Sequence, residues 1–196
     1  MQILRAHDFR TTPWKNGGGE TTQIAVRPLG AGLEDFDWRV STARVASDGP
    51  FSHFPGVDRT LAVLTGAGLR LSIEGRSPIV LTSRAEPFAF AGDIEAAAVL
   101  VDGAITDLNV MTRRARFSHR VRRIQLGPPA SFGTAGIDTL LYCAHGALRA
   151  KTAEIAADLG PGDALLSPCG GTCRLQAEVD ALAYFIEFLD APVREP

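Results

Sequence analysis

The sequence lacks any apolar run long enough to cross a membrane, and it lacks the apolar core of a signal peptide. Residues 96–101 form one of its longest uninterrupted apolar runs, whereas a spanning helix needs roughly twenty such residues. The first ten residues, MQILRAHDFR, include charged side chains where a signal peptide is apolar. We therefore expect a soluble protein that functions in the cytoplasm and has no membrane partner.

Cysteine is scarce, and the three cysteines do not form the even set that a disulfide framework requires. Cys169 and Cys173 lie four residues apart around a glycine turn, and Cys143 stands apart from them. A structural zinc site needs four ligands, but no second cysteine or histidine pair with suitable spacing accompanies the first. We expect a reducing compartment and no metal or other cofactor.

The chain also lacks an excess of positive charge. Its formal net charge is −2, and such a balance supplies no field that would attract a polyanion. The one dense basic cluster consists of Arg113, Arg114, Arg116, Arg120, Arg122 and Arg123. Four of these arginines alternate with Ala115, Phe117 and Val121, as in an edge strand with a charged outer face. The arginine side of this strand carries no aromatic residues that could stack on bases, so we expect no nucleic-acid partner.

The sequence is rich in turn-forming residues: twenty glycines and twelve prolines separate short apolar or alternating segments. Leu69, Leu71 and Ile73 alternate with polar residues, which is typical of a strand with one buried face. Residues 150–158 leave two interpretations open, since alanines and a glutamate suit a helix while the GPGD turn at 160–163 follows at once. The overall pattern predicts an all-β protein.

The two halves of the chain share a rhythm of strand, glycine turn, strand and a second proline or glycine turn. Residues 61–66 (LAVLTG) correspond to residues 140–146 (LLYCAHG), and residues 87–93 (PFAFAGD) correspond to residues 159–165 (LGPGDAL). Repeated units of this kind indicate a duplicated β-sandwich or barrel. The seam between the two copies is expected between residues 112 and 134.

Three consecutive glycines stand in residues 14–22, WKNGGGETT. Glycine loses more conformational freedom on folding than other residues, so such a run suggests a loop whose bare backbone approaches a ligand. A phosphate-binding P-loop is not indicated, because Lys15 precedes the glycines instead of following them. The alternative is a flexible turn that leads into a strand at residues 22–26.

The densest polar and aromatic stretch covers residues 35–60. In an extended segment Arg39 and Ser41 point to one side, and Trp38 points to the other. The Gly49-Pro50 turn is followed by FSHFP at residues 51–55, and Arg59 enters the next strand. One wall of a barrel would thereby carry guanidinium, hydroxyl and aromatic groups together.

Five motifs in this order, WKNGGGETTQIA, DFDWRVSTARV, DGPFSHFPGVDRTL, PFAFAGD and DLNVMTRR, resemble the HutD/Ves family of bacterial proteins. They span residues 14–114. The resemblance implies a bicupin, two jelly-roll barrels of the cupin type, which we place at residues 1–114 and 115–196. It also implies a link to histidine utilisation, in which family members are thought to bind pathway metabolites and restrain flux.

The residues at the expected cupin site do not suit a metal. Metal cupins place two histidines one residue apart, then a glutamate and a distant histidine. Here the comparable stretch contains His53 alone, and Asp58 and Arg59 fall where the acid would be. A guanidinium in the barrel favours an anion, because its donors match a carboxylate in a bidentate manner. We therefore expect an acidic small-molecule ligand and no metal.

The predicted ligand site combines cations, amides, a hydroxyl and apolar walls around this arginine. The ligand-binding residues are predicted to be Lys15, Asn16, Arg39, Ser52, His53, Phe54, Arg59, Phe90, Asn109 and Met111, and no catalytic residue is predicted. Lys15 and Asn16 would close the mouth of the barrel. The alternatives are a surface ion pair of Arg59 with Asp58 or Glu86, a turn position for His53, and plain core positions for the apolar residues.

We predict a metal-free protein that binds a small carboxylate, with urocanate and formylglutamate as the candidates that the resemblance implies. It would act as a regulator or metabolite buffer in histidine breakdown and would form a homodimer. The alternative function is a cupin enzyme, an isomerase or hydrolase, that uses Lys15 or His53 as a general base. A barrel without a cavity would instead favour a protein-interaction module.

Overall fold

The computed structural model describes residues 1–127, 130–133, 137–151, 155–168, 172–177 and 180–191. Within these ranges the chain forms β-strands and one short 3₁₀ turn, Ala6–Asp8, and no α-helix. The all-β prediction is confirmed. None of the described segments forms a helix that is long and apolar enough to span a membrane.

The strands are numbered in chain order. They are β1 (Gln2–Leu4), β2 (Arg10–Pro13), β3 (Gly19–Arg27), β4 (Trp38–Val45), β5 (Gly49–Pro50), β6 (Val57–Thr65), β7 (Leu69–Ile73), β8 (Ile79–Leu81), β9 (Phe88–Ala91), β10 (Ala96–Leu100), β11 (Ile105–Arg113), β12 (Phe117–Leu126), β13 (Ala130–Gly133), β14 (Asp138–His145), β15 (Leu148–Lys151), β16 (Ala156–Leu159), β17 (Ala164–Pro168), β18 (Thr172–Gln176) and β19 (Ala181–Asp190).

The chain divides into two compact units. The first unit is Arg10–Phe117, and the second combines Met1–Phe9 with Ser118–Pro196. The predicted boundary lies at residue 114, and the first nine residues are predicted to belong to the first barrel. In the structure β1 pairs with β17 of the second unit, and Arg5 forms an ion pair of 2.7 Å with Asp163.

The first unit consists of two packed antiparallel sheets. A six-stranded sheet has the order β2-β3-β4-β11-β6-β9, and a four-stranded sheet has the order β5-β10-β7-β8. Alternate residues of both sheets meet in one apolar cluster, as the strand period of two requires. Its buried members are Ala43, Val45, Leu61, Val63, Leu69, Leu71, Ile73, Leu81, Phe90, Ala96, Ala98 and Ile105.

The strand register decides which further residues face this interior. Asp107 on β11 lies opposite Ala43 and Val63 of the cluster. Asn109 lies opposite Leu61, and directly paired side chains point to the same face of a sheet. The inward face of β11 therefore carries Asp107, Asn109 and, two residues later, Met111.

The second unit has the same two-sheet construction. Its sheets have the orders β1-β17-β14-β19-β12 and β13-β18-β15-β16. Apolar side chains from both sheets form its core, namely Ile124, Leu126, Leu141, Cys143, Leu148, Ala150, Ala157, Leu159, Leu165, Cys173, Leu175, Ala181, Ala183 and Phe185. Residues at both ends of the 150–158 segment are strands, because Lys151 pairs with Ala156, and residues 152–154 lie outside the described ranges.

The basic cluster is only partly the predicted edge strand. β12 lies at the end of its sheet, and its Arg120 is exposed. Arg114 and Arg116 instead lie in the turn before β12. Arg114 forms ion pairs with Asp58 at 2.8 Å and with Asp93 at 3.0 Å. Arg116 forms an ion pair with Asp37, so both arginines are engaged within the first unit.

Candidate functional site

Six polar side chains lie on the inward faces of four adjacent strands in the first unit. They are Gln23, Arg39, Ser41, Arg59, Asp107 and Asn109, and we call them the polar layer. Ser41, Arg59 and Asp107 are buried, with exposed fractions of 1%, 4% and 1%. The other three are only half-buried. Half-buried residues on the inner face of central strands indicate that the interior is open to solvent beside the buried groups.

The guanidinium group of Arg59 is enclosed by aromatic rings. Its central carbon lies 4.8 Å from the ring centre of Phe51, 5.4 Å from that of Phe90 and 5.8 Å from that of Phe54. Ring faces attract a cation and stabilise it where water is excluded. Nη1 donates a long hydrogen bond of 3.5 Å to the carbonyl oxygen of Ser52. The Nε atom has no hydrogen-bond partner among the described residues.

Burial also acts on the protonation of this arginine. Desolvation lowers the pKa of Arg59 to about 10, while the charge of Asp107 raises it and that of Arg39 lowers it. The group therefore stays cationic at neutral pH. A desolvated cation with a donor left over is a strong site for an anionic acceptor.

Asp107 is the acidic member of the polar layer. Burial raises the pKa of Asp107 to about 7, against the opposing effects of the Arg59 charge and a hydrogen bond from the Ala43 backbone. Its Oδ1 atom has no hydrogen-bond partner in the described structure. Arg59 and Asp107 act on each other through space and form no direct ion pair.

Arg39 gives the layer a second positive charge. Its Nε donates to Gln23 Oε1 at 3.1 Å, and its Nη1 donates to Ser41 Oγ at 3.2 Å. Both partners are neutral, so the charge is oriented but not compensated, and burial lowers the pKa of Arg39. Asn109 lies opposite Ser41, and its Oδ1 has no partner among the described residues. The layer thus holds two guanidinium groups, one carboxyl group and one available amide oxygen.

The predicted apolar walls lie next to these charges. Phe90 is paired with Arg59 across β9 and β6, and Met111 is paired with both Arg39 and Arg59. Phe54 packs on a small cluster of Phe36, Val57 and Met111. The interior position of Arg59 is also favoured over a surface pair with Asp58, because Asp58 binds Arg114.

Two predicted residues on the segment after β5 lie outside the layer. Ser52 and His53 are exposed, and of Ser52 it is the carbonyl oxygen, not the hydroxyl, that contacts Arg59. His53 instead lines a groove of about 730 Å³ together with Phe51, Glu74 and Glu95. The segment is fixed at its ends, where the Phe51 and Phe54 backbone N–H groups donate to Ala96 and Gly92.

Lys15 and Asn16 lie in the turn between β2 and β3, and both are exposed. Gly19, which ends this turn, pairs with Val45 at one end of β4, six residues from Arg39, or about 20 Å along a strand. The Asn16 Oδ1 atom accepts a hydrogen bond of 3.0 Å from the Gly18 N–H. The structure does not bring these two residues to the polar layer.

The three glycines of this turn are explained by local structure, Gly17 by its backbone conformation and Gly18 and Gly19 by close packing. Gly17 has a φ of 72°, in the left-handed region that other residues disfavour. A Cβ at Gly18 would lie 2.5 Å from Ser47 Oγ, and one at Gly19 would lie 2.3 Å from the Arg44 carbonyl oxygen. The turn interpretation therefore accounts for all three.

Gln23 and Asp107 are members of the layer that the sequence did not predict, whereas Ser41 was predicted to share a face with Arg39 but not to bind the ligand. Ser41 and Asp107 each lie two residues from a predicted residue, Arg39 and Asn109, so strand alternation alone places them on the same face. Gln23 could not be found in this way. Its position depends on the register between β3 and β4, which shifts at a bulge between Gln23 and Ala25.

The described residues contain no group of three or more His, Cys, Asp and Glu side chains that could hold a metal ion. The polar layer suits a cation poorly, because two guanidinium groups outnumber its single carboxyl group. Cys169 lies outside the described residues. Cys173 is buried in the core of the second unit, where burial raises the pKa of its thiol.

Comparison with known proteins gives a consistent result. The model of the HutD family matches residues 6–184. An uncharacterised 21.2 kDa protein in the hutC 3′ region of Pseudomonas putida is 40% identical over 122 residues, 62% of this chain and 63% of that protein. The chain thus matches a little less than two thirds of that relative's length. Protein Ves of Citrobacter koseri is 38% identical over 158 residues, 78% of this chain and 79% of that protein.

Solved structures extend the comparison to the fold. A conserved protein of unknown function from Pseudomonas aeruginosa PAO1 superposes with a TM-score of 0.90 at 33% identity, covering 96% of this chain and 98% of that one. HutD from Pseudomonas fluorescens SBW25 gives 0.83 at 29%, with the same coverage. Oxalate decarboxylase of Bacillus subtilis gives 0.64 at 10% identity and covers 96% and 77%, a likeness in fold alone. These neighbours confirm the predicted bicupin fold.

Proposed function

The chain belongs to the HutD family, and from that premise we propose that it binds a small carboxylate metabolite in the polar layer. It acts there as a regulator or metabolite buffer in histidine utilisation, with urocanate and formylglutamate as the candidate ligands. This role places the protein in the cytoplasm. The family name and the relative in the hutC 3′ region support the metabolic context.

The observation that carries the proposal is the environment of Arg59. Arg59 is 4% exposed, and its guanidinium group lies among three aromatic rings with an unpaired Nε. A buried polar group without a partner costs about 1 to 3 kcal/mol, and more when it is charged. A ligand carboxylate removes this cost and gains a charge-assisted hydrogen bond, whereas a neutral ligand would leave the cation uncompensated.

The remaining groups of the polar layer contribute to the affinity for the ligand. Arg39 adds a second positive charge, and the half-buried Asn109 offers an amide to the rest of the ligand. A ligand of about ten heavy atoms gains modest free energy even from good contacts, so we expect dissociation constants in the micromolar to millimolar range. Such affinity suits a protein that responds when an intermediate accumulates.

Calorimetric titration with urocanate and N-formyl-L-glutamate tests the proposal. The variant Arg59→Met keeps the volume and the ring contacts but removes the charge, so binding should weaken roughly 10- to 100-fold. Arg70→Ala is the matched control, because Arg70 is an exposed arginine on β7 of the same unit. Absence of binding by the wild type would remove both candidates, and unchanged binding by Arg59→Met would remove the role of the arginine.

The enzymatic alternative can be followed in the same samples. Lys15 and His53, the predicted bases, lie outside the polar layer, and Asp107 is the residue of the layer that is best placed to move a proton. Mass spectrometry after long incubation with each compound detects turnover. Conversion that Asp107→Asn abolishes would favour an enzyme over a binding protein.

A further inference from the structure

Asp107 is an unusual residue for an anion-binding layer because it carries the same charge as the proposed ligand. It is 1% exposed and lies on the inward face of β11, two residues before Asn109. Its Oδ1 atom has no hydrogen-bond partner among the described residues. The proposed function alone does not explain why an acid occupies this position.

The surroundings of Asp107 stabilise its negative charge only weakly. The residues paired with it on the neighbouring strands, Ala43 and Val63, belong to the apolar cluster shared with the facing sheet. The charged group that acts on it is Arg59 on β6, and the Ala43 backbone adds one hydrogen bond. Arg39 on β4 acts on Arg59 in turn. Asp107 therefore serves as a distant counter-ion of Arg59.

We propose that a ligand carboxylate replaces Asp107 as the counter-ion of Arg59 and that Asp107 takes up one proton from solvent as the ligand enters. The inference rests on the proposed function and specifies how the same site is regulated. In the balanced step, the ionised Asp107 and one proton become the neutral acid, while the ligand remains a carboxylate. Binding thus becomes proton-linked.

The physical reason is that two carboxylates in one buried site cannot both stay ionised. Each raises the pKa of the other, as in paired catalytic carboxylates. The cost of protonating Asp107 is small, because burial has already brought its pKa to about 7. Once neutral, Asp107 also becomes an O–H donor that a ligand oxygen can accept.

This linkage makes affinity depend on pH in a defined direction. Well below pH 7 Asp107 is already neutral, so the ligand binds without proton uptake. Above pH 7 each binding event must take up a proton, and the apparent affinity falls by up to about tenfold per pH unit. The site would hold its ligand more tightly in a mildly acidic solution than in a mildly alkaline one.

The test is calorimetric titration of N-formyl-L-glutamate at about pH 8 in two buffers with different ionisation enthalpies. The difference between the measured enthalpies gives the number of protons taken up, which should approach one for the wild type and zero for Asp107→Asn. Asp102→Asn is the control, because Asp102 is an exposed acid just before β11, and it should take up as many protons as the wild type. Asp107→Asn should also bind with an affinity that no longer falls above pH 7.

The outcomes separate this inference from the proposed function. Ligand binding by the wild type without proton uptake would overturn the inference alone, and so would uptake that persists in Asp107→Asn. No binding of either candidate ligand between about pH 5.5 and 8.5 would overturn the proposed function and the inference with it. The affinity of the wild type as a function of pH tests the linkage even when the variant does not fold.

Discussion

The two units share the construction of two packed sheets but differ in what their inner faces carry. In the second unit the cluster between the sheets is apolar, and Glu187, a buried acid on β19, is paired with Arg122 at 3.2 Å. In the first unit Arg59 and Asp107 are buried without a direct ion pair. Burying charged groups without a direct partner is costly, so the retention of both in the first unit supports our proposal that this unit binds the ligand. In the second unit Arg123 Nε likewise lacks a hydrogen-bond partner among the described residues.

The comparison also concerns two acids with opposite environments. Asp107 of the first unit has a raised pKa because of burial. Asp163 of the second unit has a lowered pKa: burial opposes the shift, but hydrogen bonds from Ala6, Arg5 and Gly160 outweigh it. Three donors hold the Asp163 carboxylate within the fold, whereas Asp107 receives one hydrogen bond, from the Ala43 backbone. Asp107 is the acid for which we propose a role in ligand binding.

The largest expected effect comes from placing a charge in the second unit. Leu141 is 2% exposed in its apolar core, so Leu141→Arg should lower the free energy of unfolding by about 4 kcal/mol or more, or prevent folding. Leu141→Met, the control, should cost less than about 1.5 kcal/mol. Urea denaturation measures both. A Leu141→Arg variant within about 1 kcal/mol of the wild type would show that the two interiors do not differ in the way described.

The raised pKa of Asp107 should make the stability of the protein depend on pH. Burial raises the pKa of Asp107 to about 7 in the folded state, well above the ordinary value of an aspartate, so the native protein binds this proton more tightly than the unfolded chain does. The contribution of the protonated Asp107 to the free energy of unfolding is fully present below about pH 4 and is lost as the pH rises through 7. The free energy of unfolding should fall by about 4 kcal/mol over this range.

Urea denaturation of wild type and Asp107→Asn across this range isolates the contribution. The difference between the two unfolding free energies should change steadily with pH from 4 to 7 and level off above it. A constant difference would mean that Asp107 has an ordinary pKa in the folded protein.

The smallest effect is expected at Asp163. The pKa of Asp163 is lowered in the folded state. Its carboxylate therefore stabilises the fold above the unfolded pKa of about 4, and this stabilisation is lost on acidification. Asp163→Asn should therefore cost about 1 to 2 kcal/mol at pH 7 and less at pH 3, as thermal or urea denaturation can show. A cost that grows on acidification would reverse the contrast with Asp107.

The fold followed from the sequence because strand alternation and glycine turns are local signals. Leu69, Leu71 and Ile73 are buried in β7 as their alternation predicts. Arg39, Arg59 and Asn109 could be predicted for the same reason, since strand alternation decides which residues of each strand face inward. The family resemblance added the bicupin arrangement, which periodicity alone left open as a sandwich or barrel.

The rest of the site depends on information that is not local. Lys15, Asn16 and His53 were grouped with Arg59 because their motifs appear together in the sequence. Register places the first two at the opposite end of β4 and leaves His53 in the outer groove. Asp107 was not predicted because the sequence does not show that it is buried. That follows only from the register, which places it opposite the apolar Ala43 and Val63.

Nuclear magnetic resonance of the arginine Nε–H groups tests the central claim most directly, because Arg59 Nε is the unpaired donor. The Arg59 signal is assigned as the one that Arg59→Met removes, and N-formyl-L-glutamate or urocanate is then titrated into the ¹⁵N-labelled wild type. We predict a large, saturable shift of the Arg59 signal, while the signal of exposed Arg70 stays in place. A ligand that binds and leaves the Arg59 signal unchanged would contradict the account.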